Sequence, residues 1–132
     1  MIEFSLLMPW YAFLFVAAFD YGFYSYGLIA TQNAARVAAM YCSGSVSLAS
    51  NCADSACGYA LDQLRNMPNV GSSMAAPCAA PVAVTASMIT GPDSANAAQV
   101  TVTYTSPRLI PIPGLLPGVL TISRTVTMRV LT

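Results

Sequence analysis

From Phe4 to Phe19 the chain is apolar or aromatic apart from Ser5 and carries no charge, and from Tyr21 to Ala35 it is uncharged again. Asp20 is the only charged side chain between Glu3 and Arg36. So long a run with so few breaks predicts a helix over 2–41. At ~1.5 Å per residue it would measure roughly 60 Å, about twice the hydrocarbon thickness of a bilayer. Its first half can therefore cross a membrane while its second half carries a folded domain. Pro9 lacks an N–H and is expected to kink or locally melt the opening turns. Over 30–41 the pattern becomes amphipathic, with Ala34, Ala35, Ala38 and Ala39 as a small-residue stripe and Gln32, Asn33 and Arg36 as polar positions. The stripe suits close packing on the chain's own sheet, on the same helix of another copy, or on both through different faces.

A second, shorter helix is expected over 53–66, with Ala56, Tyr59, Ala60, Leu64 and Met67 on one side and Asp62 spaced to meet Arg65. Pro68 ends it, and 68–81 reads as a Pro/Gly/Ser loop. Three runs then alternate with period two: 82–89, 98–105 and 119–131. Val82, Val84 and Met88 oppose Thr85 and Ser87. Val100, Val102 and Tyr104 oppose Thr101, Thr103 and Thr105. Leu120, Ile122, Val126, Met128 and Val130 oppose Thr121, Ser123, Thr125, Thr127 and Arg129. One apolar and one hydroxyl face per strand is the pattern of an antiparallel sheet covered on one side. The fold class is thus α+β: a long N-terminal hydrophobic helix, a short second helix, and a C-terminal three-stranded antiparallel sheet packed on the first helix. The chain divides into 1–41, 42–81 and 82–132. Between the last two strands, 106–118 holds four prolines among Leu and Ile, too apolar to float in water. It is expected either to fold back on the core or to meet a neighbour or a membrane face.

All four cysteines, Cys42, Cys52, Cys57 and Cys78, fall between 42 and 78. Intervals of nine, four and twenty residues contain no CxxC knuckle, so two disulfides are favoured over a zinc site. Three pairings are possible, and any of them implies an oxidising compartment.

Composition narrows the function. The 132 residues are 56% hydrophobic and 8% charged with zero net charge, which excludes disorder and gives no electrostatic reason to bind nucleic acid. There is no histidine, hence no common general base, and no carboxylate pair or phosphate-cradling glycine motif. No catalytic, cofactor-binding or metal-ligating residue is assigned. The many Ser and Thr residues suggest O-glycosylation of an outer face. Two carboxylates stand where charge is expensive, Glu3 and Asp20. Glu3 could neutralise the amino terminus of an adjacent copy. Asp20 could pair with Arg36 of a different copy or accept from Tyr21, Tyr24 or Tyr26.

Glu3-Phe4, Leu6-Leu7-Met8-Pro9, the apolar run, Asp20-Tyr21-Gly22 and Gln32-Asn33-Ala34-Ala35-Arg36 with Tyr41 resemble the TadE-like proteins of tight-adherence pilus systems. Val100–Tyr104, the Pro-rich Leu loop and Thr125–Val130 are similar to the family's closing strands. The resemblance implies a type IV pilin-like subunit, held in the inner membrane by its helix and then packed into an extracellular filament with pilus assembly machinery. A membrane-anchored minor pilin that primes assembly, or a tip adhesin, is the alternative. Glu3 would correspond to the pilin glutamate, although no basic leader ending in glycine precedes it here. Glu3, Phe4, Pro9, Asp20 and Arg36 are the candidate assembly residues.

Overall fold

The N-terminal apolar run folds as one element. The computed structural model describes residues 2–71, 74, 76–108 and 118–131, with side chains from Ser5 onward. Helix α1 (Ile2–Cys42) runs 41 residues and continues through Pro9, so the expected local melting there does not occur. One missing N–H removes a single bond from a long, cooperative ladder.

Beyond α1 come α2 (Val46–Asn51) and α3 (Ala53–Leu64), then strands β1 (Val82–Thr90), β2 (Asn96–Thr105) and β3 (Thr121–Arg129). The architecture is α+β as the pattern predicts, with one helix more. The six residues of α2 are too few to show a period, but Ser45 caps them by accepting from the Leu48 N–H at 3.3 Å. In α3 the buried side is Ala56, Cys57, Ala60, Leu61 and Leu64. Tyr59 does not belong to it: it is 45% exposed, and its ring leans on Tyr41.

The sheet order is β1-β2-β3, antiparallel throughout. Register aligns the covered face in rows: Val82, Tyr104 and Ile122; Val84, Val102 and Arg124; Ala86, Val100 and Val126; Met88, Ala98 and Met128. Met88, expected inside, is exposed at the end of its strand. β3 is shorter than the alternation suggested, leaving Leu120 and Val130 just outside it. On the uncovered face hydroxyls pair across strands, Thr101 with Thr125 at 2.8 Å and Thr103 with Ser123 at 3.1 Å.

The covering layer is α1 and α3 side by side, α1 over β2 and β3 and α3 over β1. Ala34, Ala35, Ala38 and Ala39 are fully buried within the single chain, as are Ala56 and Ala60. The alanine stripe is therefore occupied by the chain's own sheet and α3, and is not free for another copy. Gly27 allows the closest approach: a Cβ there would lie 3.0 Å from Ile122 Cδ1. Thr31, buried just beyond, donates to the Gly27 carbonyl at 2.7 Å.

Two disulfides resolve the pairing left open by the sequence. Cys42–Cys52 clasps the end of α1 to the start of α3, and Cys57–Cys78 ties α3 to the loop before β1. A polar clasp joins the same loop to the sheet. The Tyr104 hydroxyl donates to Asn69 Oδ1 at 2.6 Å, and Asn69 Nδ2 donates to the Thr105 carbonyl at 2.7 Å. Burial pushes the Tyr104 phenol up to about 12. A folded value above the unfolded one of ~10 leaves stability intact below pH ~10 and removes it as pH rises toward the folded value. Thermal melts between pH 9 and 12 are expected to show that decline, and Tyr104→Phe should flatten it. An equally steep decline in the phenylalanine variant would assign the effect elsewhere.

Candidate assembly surface

Among the described side chains of α1, the first that is buried is Asp20. Before it the helix stands bare: Leu6 is 77% exposed, Phe15 73% and Phe19 64%. Trp10 and Phe13 stack at 6.1 Å and, with Leu6 and Pro9, line a shallow groove of about 440 Å³. Water is a poor solvent for so continuous a run of exposed apolar side chains. Ser5–Cys42 is long and apolar enough to cross a membrane. The backbone of Glu3 and Phe4 belongs to α1, while their side chains, which the sequence marks as assembly residues, lie outside the described residues.

Asp20 is only 1% exposed, and its Oδ2 has no hydrogen-bond partner. None of Tyr21, Tyr24 and Tyr26 satisfies this oxygen; Tyr21 and Tyr26 turn to solvent. Arg36 is exposed, sixteen residues further along the helix. At ~1.5 Å per residue that is roughly 24 Å, so the two cannot pair within one chain. The structure thus does not bring Asp20 and Arg36 together, and it leaves a buried carboxylate oxygen unsatisfied, a costly arrangement that needs a reason. The Pro-rich segment, expected either to fold back on the core or to meet a neighbour or a membrane face, falls largely in 109–117, outside the described residues. Its two ends are joined, the Ser106 N–H donating to the Leu120 carbonyl at 2.8 Å and the Leu120 N–H to Ser106 Oγ at 2.9 Å.

The sequence reading missed two surface features. Arg124 sits in an inward row opposite Val102, the one charge on that face. Its signal is the break it makes in the apolar alternation of β3. It is exposed, beside Gln32 and Asn33. The Tyr41–Tyr59 pair, with centroids 4.7 Å apart, was hidden because Tyr59 shares a helical period with the core residues.

Among the described residues no group of three or more His, Cys, Asp or Glu side chains could hold a metal. Only two ion pairs form among them, Asp62 with Arg65 at 3.4 Å and Asp93 with Arg129 at 3.5 Å, both exposed. Comparison with known proteins gives one match: the family model described as TadE-like protein matches residues 1–40. No curated protein and no solved structure matches the chain.

Proposed function

We propose, starting from the TadE-like character of residues 1–40, that the chain is a structural subunit of an extracellular type IV pilus-like filament, assembling through its N-terminal helix. The family match and the apolar α1 fit a pilus-related protein, and nothing among the described residues points to catalysis. The observation that carries the finer reading is the change in α1 at Asp20: before it no described side chain is buried, and after it one face of the helix, including Ala34, Ala35, Ala38 and Ala39, is buried against the head. Lipid of the inner membrane would cover the bare half before assembly, and sister helices would cover it afterwards. The two disulfides support a head on the oxidising side of that membrane. The uncovered sheet face, rich in Thr and Ser, suits the outside of a fibre.

Glu3 would balance a charge of the adjacent copy within this apolar environment. Glu3→Ala or Glu3→Leu should abolish filaments while the protein still inserts into the membrane. Wild-type amounts of fibre from either variant would count strongly against the role given to this residue. Electron microscopy of sheared surface material, with mass spectrometry of its dominant band, tests the subunit itself. An abundant band and long fibres are expected. A trace component confined to one end would make the chain a membrane-anchored minor or tip subunit.

A further inference from the structure

Two openings flank α1, one on its α3 side and one on its β3 side. On the α3 side, Ser55, Tyr59 and Asp62 fall at i, i+4 and i+7, so they share one outward stripe. Tyr59 leans on Tyr41 with ring planes at 39°, and a cleft of about 370 Å³ opens beside the pair. Gly58 lines it, and a Cβ there would meet nothing within 4 Å, so the opening is not filled by the chain's own packing. The lining offers two phenol rings, a hydroxyl and the Asp62 carboxylate, but no cation. The only ion pair of Asp62, with Arg65, joins side chains that are 62% and 66% exposed, which makes it readily exchanged.

On the β3 side of α1, Arg124 stands beside a second cleft of about 300 Å³ with Leu28, Ile29, Gln32 and Asn33. This is the mirror situation. A guanidinium sits among carboxamides and aliphatic side chains, and it has no acid within ion-pair distance among the described residues. Arginine is the cation that stacks on tyrosine faces and pairs with a carboxylate through a planar fork. Tyrosine and arginine are also the residues that most often anchor protein interfaces.

We propose that the Tyr41–Tyr59–Asp62 cleft of one copy receives Arg124 of a second copy. This rests on the polymeric reading above and adds the residues of a contact between heads. Socket and arginine lie on different surfaces, because α3 packs on α1 and β1 whereas β3 packs on α1 and β2. Each copy therefore uses its socket for one neighbour and its arginine for another. Such a heterologous contact does not close at two copies; it propagates.

Charge exchange and cross-linking in the full chain, produced in a host that assembles it, test the contact. Asp62→Arg and Arg124→Asp should each lower assembled material roughly tenfold, with melting of the detergent-solubilised proteins unchanged, and the double exchange should restore most of it. All four native cysteines are bridged, so cysteines introduced at 62 and 124 are the free thiols. Oxidised fibres of D62C/R124C should give a ladder of cross-linked oligomers, whereas each single variant stops at dimers. Normal assembly of both single charge variants, rescue of Asp62→Arg by Arg36→Asp in place of Arg124→Asp, or fibres without a ladder would overturn the contact while leaving the filament reading in place. Failure of the unaltered protein to polymerise would remove both.

Discussion

Replacing Cys57 and Cys78 together by alanine is expected to cost the head ~3 kcal/mol, and losing Cys42–Cys52 as well should bring the total to ~6 kcal/mol, by the chain-entropy account of loop closure. The loops they close span 10 and 21 positions of sequence. Domains of this size are stable by only ~5–15 kcal/mol, so full reduction should leave the head unfolded or barely folded. The composition of the core is the reason. The buried faces of α1 and α3 are rich in alanine, Ala34, Ala35, Ala38 and Ala39 on the one and Ala56 and Ala60 on the other, and each alanine buries little apolar area. Cross-links supply what such a core lacks. Denaturant midpoints of the detergent-solubilised protein, with and without reductant, measure the effect. Equal midpoints would mean that the helices hold each other without the clasps.

The second large effect concerns Asp20. Asp20→Asn should raise the stability of the single chain by ~1–3 kcal/mol, because it removes a carboxylate whose Oδ2 is buried without a partner. The same substitution should cut assembled material sharply if a neighbouring copy supplies the missing partner. A thermal melt in detergent and the yield of sheared fibre are the two readouts. Higher stability with unchanged fibre would make Asp20 a feature of the single chain alone. Lower stability would show that the carboxylate is satisfied in solution. Opposite movements in the two readouts would follow from selection for assembly at the expense of the monomer's stability.

Much of the architecture was legible along the chain. The strands announced themselves because one face of each is covered and the other is not, so period two survives in the residues. The resemblance over residues 1–40 was legible for a related reason: the apolar run of α1 is long and nearly unbroken, so its pattern survives in the residues themselves. Helix α2 was not legible, since six residues held by a hydroxyl cap and a disulfide carry no period. Tyr59 and Arg124 were misread or passed over for one shared cause. Each occupies a position whose spacing says core, and each stands at a margin where the covering layer ends.

The order of apolar and polar residues, by itself, determined that a long oily helix precedes a half-covered antiparallel sheet, and that the cysteines close loops between them. Both follow from local periodicity and composition, which act within a few residues of each position. Which cysteines pair, what the alanine stripe packs against, that Asp20 is buried with an unsatisfied oxygen, and that Tyr41 and Tyr59 meet were decided only in three dimensions. Each depends on the lateral placement of α1 and α3 on the sheet, a relation between residues far apart in sequence that no local pattern encodes.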